Sequence, residues 1–161
     1  APAAWRDVAQ FLRDDPRCGM NMFIDITAVD YPEREPRFEV VCHLRSLERG
    51  HRIRIKARVG DESGDGAEIA SLVAVWAGAN WFERECFDMF GVKFVGHPDL
   101  RRILMYGEFQ GHPLRKDYPA QQAQPLVEYR EGNFDKLPPF RDDEGMPFGR
   151  QTHDYRNGEA N

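Results

Sequence analysis

His97 and His112, with the carboxylates of Glu83, Glu85, Asp88 and Asp99, are the residues of this sequence whose types could bind a metal. Imidazole and carboxylate are the usual ligands for zinc or iron. Their spacing points elsewhere. Each of these histidines is followed by a proline, Pro98 or Pro113, which pushes its backbone towards an extended conformation. Neither belongs to the H-x-x-x-H or H-E-x-x-H pattern that sets two imidazoles on one helical face. A second chemistry would be acid–base catalysis by the carboxylates of FERECFD. On a helix, Glu85 and Asp88 stand about one turn apart and Arg84 and Asp88 are spaced as an i,i+4 ion pair, so ion pairing is the simpler account. No nucleophile stands near them, and phosphate-loop, dinucleotide and nucleophile-elbow patterns are missing from the sequence. A third chemistry is recognition by the basic pairs Arg101-Arg102 and Arg115-Lys116, each following a Gly-His-Pro turn in the stretch GHPDLRRILMYGEFQGHPLRKDYP. A guanidinium offers a planar fork of donors to carboxylates and carbonyls, and arginine is enriched where protein surfaces meet. Here the pairs are set among rigid and bulky neighbours, Pro98, Leu100, Ile103, Leu104, Pro113, Leu114, Tyr118 and Pro119. Such a strip is preorganised, which lowers the ordering cost of binding.

Composition narrows the classes further. With 161 residues, 41% hydrophobic and 30% charged, the chain suits one domain with a proper core. Its net charge of −5 disfavours a general nucleic-acid binder, which leans on phosphate neutralisation. No apolar run approaches the roughly 18 residues of a membrane span. Cys18, Cys42 and Cys86 are odd in number and far apart, which argues against a disulfide framework and for buried thiols in a reducing compartment. An iron–sulfur cluster takes four closely spaced thiolates, more than this sequence offers.

The elements that must position these residues follow from periodicity. Val8, Phe11 and Leu12 predict a short N-terminal helix that ends at Asp14-Asp15-Pro16. MNMFIDITAVD reads as a strand buried on both faces and stopped at Tyr31-Pro32. Residues 37 to 46 put Phe38, Val40, Cys42 and Leu44 on one side of a strand. Residues 51 to 59 put Ile53, Ile55, Ala57 and Val59 on one face of another, with Arg52, Arg54, Lys56 and Arg58 on the other. The connection from Leu47 to Gly50 makes these two a hairpin. After the acidic, Gly-rich DESGDG loop, Ile69, Leu72, Val73 and Trp76 recur at helical spacing and predict an amphipathic helix. Asn80 and Glu83 have the spacing of a capping box, starting a second helix that ends at Gly91. The fold class expected is α+β, a mainly antiparallel sheet with helices packed on one face. Residues 1–119 form this domain. Residues 120–161 are Pro-rich and lack a period; Tyr129, Phe134, Phe140, Phe148 and Tyr155 mark them as an extended C-terminal arm ordered on a partner.

WFERECFDMFGVKFVGHPDLRRIL, with GHPLRKDYP and the upstream FIDITAVDYP, resembles the 30-kilodalton, or C-type, subunit of the proton-pumping NADH:quinone oxidoreductase, respiratory complex I. The family signature falls on Glu83, Arg84, Glu85, Asp88, Met89, Phe90, Gly91, Phe94, Gly96, His97 and Pro98, and matching runs extend from about Phe23 to Pro119. The resemblance implies the α+β fold just described and a non-catalytic role within an oxidoreductase. The chain would carry no cofactor or metal; the iron–sulfur clusters, FMN and quinone of the complex would belong to partner subunits. It would brace the quinone-site (49-kilodalton, D-type) and terminal-cluster (B-type) subunits on the peripheral arm. The complex would sit on the cytoplasmic face of a bacterial inner membrane, or the matrix side in mitochondria, and the chain would reach the membrane only through it. Partner contacts are expected at Glu83, Arg84, Glu85, Asp88, His97, Pro98, Arg101, Arg102, His112, Pro113, Arg115, Lys116, Asp117 and Tyr118. Equivalent subunits of ferredoxin- or F420-linked complexes and of energy-converting hydrogenases remain as alternatives, and a stand-alone metal-dependent hydrolase as a more distant one.

Overall fold

The computed structural model describes residues 2–61 and 66–126. The C-terminal arm beyond residue 126, with its five aromatic residues, lies outside the described residues, as do residues 62–65 of the acidic loop.

A turn of 3-10 helix, Pro2–Ala4, leads into helix α1, Trp5–Asp14. Strands β1, Met22–Asp30, β2, Phe38–Arg45, and β3, Arg52–Val59, follow and form one antiparallel sheet in sequential order. A short strand β4, Glu68–Ala70, helix α2, Ala79–Phe90, and a short strand β5, Lys93–Val95, complete the elements among the described residues. β4 and β5 pair in parallel, Ile69 opposite Phe94. The α+β expectation therefore holds, with a second, two-stranded sheet added to it.

The pleat decides what faces inward. Phe38, Val40, Cys42 and Leu44 of β2 are all fully buried, and they stand in register with Ile26 and Ala28 of β1 and with Ile53, Ile55, Ala57 and Val59 of β3. α2 lies across this face against β1. It contributes Ala79, Cys86, Met89 and Phe90 to the same core, which Leu72, Trp76, Val92 and Phe94 complete. β1 is an edge strand and its burial alternates, so it is not covered on both faces as its apolar run suggests; central β2 is buried continuously from Phe38 to Cys42, its outward face opening at His43 and Arg45. The sheet's other face carries Arg52, Arg54, Lys56 and Arg58, all exposed, as their alternation predicts. In α1 the buried stripe is Trp5, Ala9 and Leu12, while Val8 and Phe11 face outward. Trp5, at i and i+7 with Leu12, shifts the inward stripe away from them.

The stretch from Ala67 to Gly78 is not a helix. Its first half pairs as β4, and its second half runs through turns in which Leu72 accepts from the amides of Val75 and Trp76. Tertiary bonds override the helical spacing. Arg6 donates to the carbonyl of Ser71 and Arg13 to that of Val75, and the Trp76 indole donates to the carbonyl of Met20. Leu72 and Trp76 are buried all the same.

Candidate functional site

α2 starts at Ala79, with Gly78 as N-cap, so Asn80 lies inside it and Glu83 does not close a capping box. Glu83 turns inward instead. It is fully buried, accepting from the Ser71 hydroxyl at 2.6 Å and the Leu72 amide at 2.6 Å, and so clamps the turns that precede the helix. Burial pushes its carboxyl up to about 7, against the opposing pull of those two donors.

One turn on, Asp88 organises the strip that follows β5. Its Oδ2 accepts from three successive backbone amides, Ile103 at 3.0 Å, Leu104 at 2.8 Å and Met105 at 2.8 Å. Its Oδ1 accepts from the Arg102 guanidinium at 2.7 Å. The side chain has no exposed surface. Burial acts to raise this carboxyl, but the amides of Met105, Leu104 and Ile103 and the Arg102 guanidinium together outweigh it and hold it below the usual carboxylate range. A cradle of consecutive N–H groups is an anion site, and here the anion belongs to the protein. Arg102 also donates to the carbonyl of Gly111 at 2.9 Å, with its guanidinium over the Phe109 ring. Arg84 reaches the carbonyls of Arg101 and Arg102 rather than pairing with Asp88.

The two Gly-His-Pro stretches fasten to opposite ends of α2. At the first, His97 Nε2 bonds the carbonyl of Asn80 at 3.1 Å, while its Nδ1 accepts from the Asp99 amide at 2.9 Å. Since a carbonyl only accepts, the ring proton sits on Nε2. At the second, His112 Nδ1 donates to the carbonyl of Asp88 at 2.9 Å, the Leu114 amide to that of Met89 at 3.1 Å, and Arg115 Nε to that of Phe90 at 2.6 Å. These are the last carbonyls of the helix, which have no partner within it. Burial lowers the His112 pKa, and Arg115 and Arg102 push in the same direction. Gly91 ends the helix in the left-handed region, at φ 81°, and a Cβ there would stand 2.5 Å from Arg115 Nη2 and 2.7 Å from the His112 ring. Only glycine fits both the turn and the close approach.

The end of the strip is tied to the sheet by residues that sequence reasoning passed over. Arg37 is 3% exposed and forms a bidentate pair with Asp30 at 2.7 and 2.8 Å. Its remaining Nη1 donates to Asp117 at 2.9 Å, and the Lys116 amide donates to Asp30 at 2.8 Å. Asp30 and then Asp117 raise the Arg37 guanidinium well above its ordinary value. The available signal was Asp30 itself, a carboxylate at an inward position at the end of an apolar strand. Beyond the strip, Tyr118 stacks on Phe109 with centroids 6.0 Å apart, and Gln124 bonds the backbone of Gln110 and the Tyr118 hydroxyl.

The structure thus brings most of the sequence-selected residues into one assembly around α2. Glu83 and Asp88 are wholly interior; Arg84, His97, Arg102, His112, Pro113, Arg115 and Tyr118 are partly buried; Glu85, Pro98, Arg101, Lys116 and Asp117 reach the surface. Among the described residues, the Arg101 side chain bonds only Asp99, itself exposed. The Cys42 and Cys86 thiols are buried in the core and pushed up by that burial, while Cys18 packs partly buried against it. Among the described residues, no three His, Cys, Asp or Glu side chains are grouped to hold a metal ion, and no helix is long and apolar enough to cross a membrane.

A Hyphomonas neptunium protein, named as the C-type subunit of NADH-quinone oxidoreductase, is 54% identical over 128 residues, covering 80% of this chain and 58% of the relative. A Rhodobacter capsulatus protein of the same name is 51% identical over 119 residues, covering 74% of this chain and 58% of the relative. The chain therefore spans rather more than half the length of the curated relatives it matches. Among solved structures, a trypsin-resistant fragment of Nqo5 is 31% identical, with a TM-score of 0.51, over 62% of this chain and 77% of the fragment. A chain of an archaeal respiratory membrane complex, the membrane-bound sulfane sulfur reductase, has a TM-score of 0.59 at 25% identity, over 88% of this chain and 78% of that one. Residues 1–124, which include α2, the strip it anchors and the sheet beneath, match the family of the respiratory-chain NADH dehydrogenase 30 Kd subunit, and the chain belongs to that family.

Proposed function

We propose that this chain is the C-type subunit of a proton-pumping NADH:quinone oxidoreductase. In this reading it performs no bond-making itself and braces the quinone-site and terminal-cluster subunits on the peripheral arm, on the cytoplasmic side of the membrane. Flavin, iron–sulfur clusters and quinone belong to the partner chains. The observation that carries the reading is the use made of the chemistry-bearing residues. Asp88, His97, His112, Arg102 and Arg115 are each engaged in holding the strip from His97 to Tyr118 on α2, and Glu83 in holding the turns that precede that helix. What α2 and the strip then offer outward includes Glu85, Pro98, Arg101, Lys116 and Asp117, suited to contact rather than catalysis. Identity of 54% to an NADH-quinone oxidoreductase chain, against 25% to the archaeal reductase chain, favours the NADH-linked complex over a related one.

Arg101→Glu tests this. Its ion pair with Asp99 is exposed on both sides, so the substitution should leave the isolated chain's stability within about 0.5 kcal/mol. The reading predicts less assembled complex in native membranes and normal turnover per assembled complex. A fully assembled complex at normal level, catalytically dead, would replace docking with a catalytic role.

A further inference from the structure

The outer face of the three-stranded sheet takes no part in the strip, yet it is built at an energetic cost. Five cations, Arg45 of β2 and Arg52, Arg54, Lys56 and Arg58 of β3, share it with two carboxylates, Asp25 and Glu39. Glu39 is taken by Lys56 at 2.5 Å and more loosely by Arg58 at 3.8 Å, and Asp25 by His43 at 2.6 Å. Arg45, Arg52 and Arg54 have no ion-pair partner among the described residues. Moreover, Arg45 and Arg52 stand directly opposite each other in the ladder, a like-charge pairing that destabilises a sheet. The Nε of Arg45 is buried and has no hydrogen-bond acceptor, a rarity in a folded protein. Charges on an edge strand can serve only to prevent edge-to-edge pairing. That accounts for β3 but not for Arg45, on the central strand with a buried, unused donor. Beside these residues lies a cleft of about 480 Å³, lined by Ile24, Asp25, His43, Arg52, Ile53 and Arg54.

We propose that this face is a second docking surface, which receives an acidic segment of a neighbouring subunit with its carboxylates on Arg45, Arg52 and Arg54. The proposal rests on the subunit role above and adds a surface on the side of the sheet away from α2. Charge complementarity selects the occupant. The guanidinium fork pairs carboxylates bidentately, and the forks of Arg45, Arg52 and Arg54 have no carboxylate partner among the described residues. A continuous phosphate polyanion would run over Asp25 and Glu39, and the chain as a whole is at −5. A bilayer would find little to take up, since Val41, in the middle of the face, is 6% exposed and Met22, opposite Arg45, stands beside the cations at its end.

The double variant Arg52→Glu/Arg54→Glu separates docking from folding. A glutamate at position 52 faces Arg45 across the ladder and relieves the like-charge pair, so the purified variant should melt at or above the Tm of the unaltered chain. In native membranes the same variant should leave the solubilised assembly at a salt concentration several-fold lower. A photoreactive benzophenone amino acid replacing Thr27, exposed on this face, should cross-link to an Asp- and Glu-rich peptide of a co-purifying subunit, identified by mass spectrometry. Unchanged salt release, or a cross-link to lipid or to residues 127–161 of the same chain, overturns the docking face while leaving the subunit role standing. Absence of the unaltered tagged chain from any assembly overturns both.

Discussion

Replacing Asp88 by asparagine asks whether one carboxylate organises the strip. The substitution keeps the size of the side chain, and its amide oxygen can still face the amides of Ile103, Leu104 and Met105. Its NH2 group must then face Arg102, a donor against a donor, and the guanidinium, with 19% of its side chain exposed, loses the partner that compensates its charge. The three amides keep a neutral acceptor in place of an ionised one, and bonds to charged groups contribute about 1.5–3 kcal/mol each against roughly 1 for neutral ones. Breaking a buried pair by removing one member costs about 3–5 kcal/mol. Because these contributions share one carboxylate and do not add, we expect a loss of about 3–4 kcal/mol, a large part of the roughly 5–15 typical of a whole domain. The assay is urea unfolding of the purified chain, followed by the fluorescence of buried Trp5 and Trp76. The pH dependence supplies a second check. The folded carboxyl lies below its unfolded value, so the stabilisation is present above the unfolded value near pH 4 and fades as pH falls through the folded one. The difference between the two proteins should therefore be full at pH 7 and shrink in acid. A loss under about 0.5 kcal/mol at pH 7, or one that does not change with pH, would refute the anchor.

Other consequences are as direct. Gly91→Ala must place a Cβ at φ 81° and 2.5 Å from Arg115 Nη2; it should cost about 2 kcal/mol or more in urea midpoint analysis. Arg37→Lys keeps the charge but cannot reproduce the bidentate grip on Asp30 together with the bond to Asp117. Thermal unfolding should show it destabilised almost as far as Arg37→Ala, and full stability would show that charge alone suffices. Glu83 has the opposite sign to Asp88. Its folded value, about 7, lies above its unfolded one, so its contribution is present below the unfolded value and is lost as pH rises towards 7 and beyond. Glu83→Gln should flatten that part of the stability-against-pH curve. Arg115→Ala, unlike Arg101→Glu, should lower the stability of the isolated chain, because its Nε holds a helix-terminal carbonyl.

The β2–β3 hairpin was readable because each strand alternates cleanly and one face of each is apolar. α2 was readable at its end, where Gly91 is the only residue type that suits the turn, but not at its start. Asn80 and Glu83 have capping-box spacing, yet Glu83 is taken by Ser71 and Leu72, partners fixed by tertiary structure alone. The stretch from Ala67 to Trp76 misleads for a related reason. Ala67, Ile69 and Ser71 are buried at a strand's period and Leu72, Val75 and Trp76 at a helix's, and the overlap reads as one amphipathic helix. The residues of the strip stood out by composition, whereas their direction did not. That Asp88 faces three amides, and that Arg37 reaches Asp117 as well as Asp30, follows from chain closure over 15 to 80 positions of sequence, which no local pattern records. The like-charge pair Arg45 and Arg52 could be found only once the hairpin register was known.

Isolation of this chain, tagged, from its native membranes under mild detergent tests the subunit role most directly. The chain should emerge in equal proportion with larger partner subunits, in an assembly that carries flavin and iron and reduces quinone with NADH. Recovery as a free monomer with turnover of its own would contradict that role.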